Sequence, residues 1–334
     1  MSTTKGVPDA KQVYSSKEVS KLTDDYFAAS LKDGGLDTGF WGLHKAGMRP
    51  WQKEWKIGVL AYTSNGKTMF MNRVARNVAE AIQKSGNEKR IVVTATWEQS
   101  VEEHGIMDAA YISGIPFTAV DNGFNPEQLK KFKEGIEKRA FLPWWIIGHS
   151  VQQRRAPQLN IDQIRENLFR IQDFGIEVVL LNLDYLQIIN MNAEKGDRRE
   201  KVIATMVKIG SLPKELGCPV VIASQADREV NKRDVAMPEP WEAMESSSFE
   251  HTVDLGISLW MPGKIPVGKK IVIGGNSLMN ALNTQIIYVW KQRYGKRLFY
   301  VPYWLRPEIQ QYNLLDWMTP EEIQTYDEAH KKYK

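Results

Sequence analysis

Four short pieces of this sequence carry side chains suited to phosphate and metal chemistry. The first is Ala61-Tyr62-Thr63-Ser64-Asn65-Gly66-Lys67-Thr68, which ends in Gly-Lys-Thr, as phosphate-cradling loops do. It starts on Ala61, where the general pattern has glycine. In such a loop the backbone N–H groups at a helix start face outward and attract phosphate oxygens. Gly66 lets the backbone come close, Lys67 adds a mobile cation for the β and γ phosphates, and the Thr68 hydroxyl can bind Mg²⁺. Ser64 and Asn65 complete the cradle.

A metal needs a second anchor. Asp184 ends the apolar run "VVLLNLD", which delivers a carboxylate to a strand end, where α/β proteins bind their ligands. Glu98 follows "IVVTATW" in the same way and could polarise an attacking water. Gln225 ends "VVIASQ", a neutral amide able to touch a terminal phosphate and report its loss. Each has a plainer reading, as a basic turn or a solvated strand end. Four polar groups at the ends of four apolar strands make a stronger pattern than any one of them.

The elements that position these groups alternate along the chain. "KIGVLAY" is a strand leading into the loop, and "TMFMNRVARNVAEAIQKSG" has helical spacing through Phe70, Val74, Val78 and Ile82. Strands follow in "RIVVTATWE", "PWWIIGHS", "IEVVLLNLD" and "CPVVIASQ", with helical stretches between them. Pro213 is expected to kink or break the helix "EKVIATMVKIGSLPKELG". Later come "VDLGISLWM", "KKIVIGG", "TQIIYVWKQR" and "RLFYVPYW", with no long helix between. Continuous apolar strands separated by helices predict an α/β fold, a mostly parallel sheet with helices on both faces. The strand-rich end predicts antiparallel strands at one edge. Residues 1–36 read as an arm with one short amphipathic helix, 37–310 as the main domain, and 311–334 as a helical tail.

Bulk properties narrow the class. The chain has 334 residues, 43% apolar and 25% charged, which is the composition of a globular protein. No apolar run approaches the ~20 residues of a membrane span, and the N-terminus lacks a signal-peptide core. A lone cysteine, Cys218, excludes an internal disulfide framework and fits a reducing compartment. The five histidines show no metal-ligand spacing. A net charge of +4 permits a nucleic-acid partner without demanding one.

At this point the residues match a known family. "DTGFWGLHKAG" at 37–47, "AYTSNGKT" at 61–68, "WE" at 97–98, "LNLDYLQ" at 181–187, "CPVVIASQADR" at 218–228, "SSSFEHTVDL" at 246–255 and "KQRYG" at 291–295 run in one order. In these pieces the chain resembles the ATPase domain of DnaB-type replicative helicases, a branch of the RecA-like P-loop motors. "LDYLQ" and "KQR" are the specific ones, and the family's loop commonly starts on alanine, as here. The resemblance implies ATP and Mg²⁺ as cofactors. Lys67 and Thr68 would bind phosphates and metal, Glu98 would be the catalytic base, Asp184 would hold the metal through water, and Gln225 would sense the γ-phosphate. Lys291 and Arg293 would reach into the neighbouring subunit's site, the arginine as a finger supplied in trans. Alternate residues of a strand point to one side, so both can reach one site.

The resemblance further implies a homo-oligomeric ring, hexameric in the first instance, or an open filament, acting on single-stranded DNA in the cytoplasm of a bacterial or phage-host cell. The arm would suit docking on the next subunit. The family's N-terminal collar domain is expected to be missing, which puts a primase link in doubt. The family's pore loop carries Arg-Glu-Ser-Gly, and here Met244-Glu245-Ser246-Ser247 stand in its place. Glu245, Ser246 and Ser247 stay candidates for DNA contact, and Arg228, Lys232 and Arg233, with Lys195, Arg198 and Arg199, could supply phosphate contacts instead. Residues 261–283 are longer than the family suggests and could form an inserted hairpin. Two alternatives to a helicase stand: a RecA-like ATPase for recombination or partner loading without unwinding, and an ATP-binding scaffold.

Overall fold

The computed structural model describes residues 14–153, 159–184, 186, 189, 194, 197–243 and 246–331. Helices α1 (Ser16–Asp33) and α2 (Trp41–Ala46) precede the main alternation. That alternation runs β1 (Lys56–Ala61), α3 (Lys67–Ser85), β2 (Arg90–Thr96), α4 (Val101–Ser113), α5 (Ala119–Asn122) and α6 (Pro126–Arg139). It continues through β3 (Trp144–Ile147), α7 (Ile161–Asp173), β4 (Glu177–Asp184), α8 (Arg198–Leu216) and β5 (Val220–Gln225). The last part holds α9 (Ser246–Thr252), β6 (Leu255–Trp260), β7 (Lys270–Ile273), β8 (Asn276–Met279), β9 (Thr284–Gln292), β10 (Phe299–Arg306), β11 (Gln311–Leu314) and α10 (Pro320–Lys331).

Nine strands form one sheet in the order β11-β10-β9-β6-β1-β5-β4-β2-β3. From β3 to β6 the neighbours are parallel, and β9, β10 and β11 extend that sheet antiparallel. Successive side chains of a strand face opposite sides. On β5, Val220 and Ile222 therefore join a core under α7, α8 and α9, while Val221 and Ala223 join a second core under α3. Both faces are buried, which is why these strands read as unbroken apolar runs. Helices α4, α6, α7 and α8 each start on a reciprocal cap, from Ser100, Asn125, Asn160 and Asp197. No helix among the described residues is long and apolar enough to cross a membrane.

Two expectations change. Helix α8 runs through Pro213 to Leu216. The proline sits in the last turn, where the lost N–H removes one bond near an end, and buried Ile209, Leu212 and Leu216 hold that end to the core. The chain after residue 310 is not helical at once. Gln310, at φ 54, reverses the backbone after a 3₁₀ turn, so Gln311–Leu314 returns beside β10 as an antiparallel strand before α10. Residues 261–283 do contain a hairpin, β7–β8, turned at Gly274 and Gly275 with φ 56 and 77. It buries Ile271, Ile273 and Leu278 against the main core.

The seam between β6 and β9 is closely packed. Its register passes from Gly256↔Lys291 to Ile257↔Val289, leaving Trp290 as an extra residue. A Cβ on Gly256 would lie 2.3 Å from the Trp290 ring. Gly256→Ala should therefore cost about 2 kcal/mol of stability, read as a lower urea midpoint at unchanged slope.

Candidate nucleotide-binding and catalytic site

The parallel strands carry their C-terminal ends to one edge of the sheet, and the candidate residues collect there. Buried Ala61 is the last residue of β1, in register with Gln225 on β5 and Leu259 on β6. The loop after it turns through Ser64 at φ 63 and Gly66 at φ 79, both left-handed. The angle at Gly66 favours glycine, and a Cβ there would displace the Gln285 amide, which would lie 2.7 Å away. Gln285 Nε2, on β9, donates to the Asn65 carbonyl at 2.7 Å, and the Met261 backbone N–H donates to Asn65 Oδ1 at 2.6 Å. Through Asn65, the loop is thus buttressed by the antiparallel edge.

Helix α3 begins at Lys67 with no side-chain cap on its first turn. Its leading N–H groups are left to face the cleft, unlike those of the four capped helices. The Thr68 hydroxyl donates to Asp184 Oδ2 at 2.7 Å. Asp184 is 2% exposed, and its Oδ1 is buried without a hydrogen-bond partner. Burial raises the Asp184 carboxyl above the usual range, against the pull of the Thr68 hydrogen bond and the Lys67 charge, with Glu98 adding to the rise. Burial lowers the Lys67 amine from its ordinary value, opposed by Asp184 and Glu98. An orphaned carboxylate oxygen beside a hydroxyl is a hard, oxygen-only donor set, which fits Mg²⁺.

Glu98 lies two residues past the end of β2, exposed on the rim of the same cleft. The cleft has a volume of about 410 Å³. Lys67, Thr68, Glu98 and Gln225 line it, together with Phe117, Leu305 and Pro307. Gln225, at the end of β5, donates its amide to the Thr63 hydroxyl. The relation of α3 to α4, the helix that follows Glu98, is set by a buried ion pair: Arg76 Nη2 lies 2.6 Å from Asp108 Oδ1. Sequence reasoning missed both Arg76–Asp108 and Gln285. A glutamine inside the apolar run "TQIIYVW" and an arginine on the apolar side of a helix were the available signals.

Lys291 and Arg293 do not join this cleft. Lys291 pairs with Gly256 at the start of β6, whereas Ala61, just before the loop, pairs with Leu259 near its end. Three strand steps, about 10 Å, separate the two levels before the loop itself is counted. Arg293 falls just past β9, its side chain 58% exposed, with Nη1 3.2 Å from Asp254 Oδ1. Lys291 Nζ donates to the Glu250 carbonyl at 2.8 Å, and burial lowers its amine.

The DNA-contact candidates are less assembled. Lys232 pairs with Glu229 at 2.7 Å and Arg233 with Glu242 at 2.8 Å. Arg228 lies in a 3₁₀ turn, Ser246 and Ser247 open α9, and Arg198 and Arg199 open α8, but these five side chains are outside the described set. Met244, Glu245 and Lys195 lie outside the described residues altogether.

Residues 35–309 match the DnaB-like helicase C terminal domain. The chain belongs to that family. It is 24% identical over 229 residues to a probable replicative DNA helicase of Trieres chinensis, covering 68% of this chain and 47% of that protein. It is 25% identical over 226 residues to the replicative DNA helicase DnaC of Bacillus subtilis, covering 66% of this chain and 46% of that one. The chain therefore spans about half the length of the curated relatives it matches. Its fold matches a solved ATPase domain with a TM-score of 0.74 at 18% identity, covering 91% of this chain and all of that one. It also matches a DnaB-like replicative helicase, described with its interactions with primase, at a TM-score of 0.71 and 17% identity, covering 93% of this chain and 69% of that one. The architecture is the RecA-like one of DnaB-family ATPase domains, with antiparallel strands at one edge.

The raised carboxyl at Asp184 yields a test. A raised acid pKa means that the ionised form is disfavoured in the folded state, so its burden on stability grows as pH rises through the unfolded pKa toward the folded one. Asp184→Asn should raise the melting temperature of the nucleotide-free DnaB-family domain at pH 8 by about 2 °C and leave it little changed at pH values below the ordinary carboxylate range.

Proposed function

We propose that the protein is an ATP-dependent DNA helicase that works as a ring-shaped oligomer, a hexamer, on single-stranded DNA, hydrolysing ATP between subunits. One observation carries this reading. Lys67 is the one cation among the described residues lining the cleft, while Lys291 and Arg293 sit at the opposite edge of the sheet. Phosphoryl transfer needs positive charge on the transferring group, and an arginine at the far edge serves a neighbour's cleft in a head-to-tail assembly. The exposed stripe Val19, Leu22, Tyr26 and Phe27 on α1 would cover the next subunit.

In this reading the first turn of α3, Ser64, Asn65, Gly66 and Lys67 bind the β and γ phosphates. Thr68 and Asp184 would hold Mg²⁺, which supplies charge neutralisation on the phosphates. Glu98 orients the attacking water and accepts its proton. Gln225 exchanges the Thr63 hydroxyl for the γ-phosphate and returns when phosphate leaves. That exchange moves the chain just beyond it, the 3₁₀ turn Arg228–Lys232 and the approach to Glu245–Ser247, toward or away from DNA. Family membership supports an action in DNA replication, in a bacterial or phage-host cytoplasm, with a loader or another replication protein as a further partner.

A second reading, a RecA-like ATPase for recombination or loading without unwinding, is favoured by two facts. Met244 and Ser247 stand where the resemblance implies an arginine and a glycine. Lys232 and Arg233 are held by acidic neighbours. ATPase rates with and without single-stranded DNA, followed by unwinding of a forked duplex, separate the two. Stimulated hydrolysis with unwinding supports the helicase, and stimulation alone supports the second.

The trans arrangement has its own test. Arg293→Ala should cut hydrolysis by about 10³-fold and leave ATP binding within roughly twofold. Mixed with Glu98→Gln subunits it should regain activity, because one type of interface then has both a finger and a base. Equal loss of ATP binding would refute the assignment.

A further inference from the structure

Arg293 is not a loose arm. Its backbone N–H donates to the Asp254 carbonyl at 3.0 Å, and its guanidinium lies 3.2 Å from Asp254 Oδ1. The other oxygen, Oδ2, lies 3.1 Å from Lys56 Nζ and accepts from the Lys56 backbone N–H at 3.0 Å. The Asp254 N–H donates to the Lys56 carbonyl at 2.7 Å. Asp254 is 8% exposed and stands between α9 and β6, fastened through its backbone to the first residue of β1. β1 is the strand that ends in the subunit's own phosphate loop.

We infer that Asp254 is a positioning residue for Arg293: its carboxylate holds the guanidinium at the subunit surface, aimed outward, and yields it to the neighbour's transferring phosphoryl group. This rests on the trans reading above. Three features support it. The carboxylate is shared between two cations, so its hold on either is divided. The guanidinium is largely exposed, where an ion pair is weak and release costs little. The backbone anchors on both sides are short, so the hold comes from a fixed point. Without the carboxylate, a long arginine side chain samples many rotamers, and the entropy of ordering it then falls on the transition state. The mount also ties the finger to the chain's own chemistry. Arg293 is linked through Asp254 and Lys56 to β1, and Lys291 through the Glu250 carbonyl to α9, which follows the candidate DNA loop.

The test uses the assembled full chain. Asp254→Asn keeps the shape and removes the charge. Asp254→Glu keeps the charge and displaces the guanidinium by one methylene. Both should lower kcat for ATP by about tenfold or more, with KM and ATP binding within about twofold. Neither should lower the residual rate of Arg293→Ala further. Mixed with Glu98→Gln subunits, Asp254→Asn should regain activity, showing that the defect travels with the finger. Wild-type kcat in both variants, or losses that multiply with that of Arg293→Ala, would overturn the proposal. If Asp254→Asn fails to fold, Asp254→Glu decides alone, and wild-type kcat there overturns it. Full hydrolysis by Arg293→Ala is a different result, since it removes the trans reading itself and Asp254's role with it.

Discussion

The hydrogen bond from Thr68 to Asp184 joins residues 116 positions apart, and the site's chemistry hangs on it. It forms because β1 and β4 are separated only by β5 in a parallel sheet. Parallel strands end at the same edge, so the loop after β1 and the carboxylate at the end of β4 meet there. The bond also leaves Asp184 with one satisfied oxygen and one buried orphan. A buried acceptor without a donor is costly, and a hydrated cation relieves that cost. That oxygen is the place where the proposed Mg²⁺ would bind.

Around this bond the structure gives up stability for readiness. Lys67 and Asp184 are both moved away from their charged forms by burial, each partly rescued by the other. Glu98 stands on the rim with like charge toward Asp184. The buried Arg76–Asp108 pair joins α3, which starts at the loop after β1, to α4, which follows Glu98. Perturbed groups gathered in one cleft mark it as the candidate site.

The proposed sharing of sites between subunits then follows from strand direction. β9 runs antiparallel to β6, so its C-terminal end, with Lys291 and Arg293, arrives at the edge opposite the phosphate loop. No side-chain rotation can bring these cations to their own cleft. The antiparallel edge nevertheless contributes to the local site through Gln285, which enters at the other end of the same strand. In that reading one strand braces its own loop at one end and presents a finger at the other.

Much of this was legible along the chain. Apolar runs bounded by single polar residues marked Lys67, Thr68, Glu98, Asp184 and Gln225 as candidates, because a strand buried on both faces has no other place for a charge than its end. "KQR" pointed to the proposed finger only through resemblance, since two cations on an edge strand have no local signature. Pro213 misled, because a helix end tolerates a break that a helix middle does not, and residues 311–314 misled, because a strand of four half-exposed residues has no period to read. The sequence by itself determined most element types, the loop and the polar residues at the strand ends, all of which depend on neighbours in the chain. Only the tertiary structure decided that Gln285 braces the loop, that Arg76 and Asp108 couple two helices, and that Arg293 rests on Asp254. Those contacts join residues brought together by strand order, and strand order is set by the packing of the whole sheet.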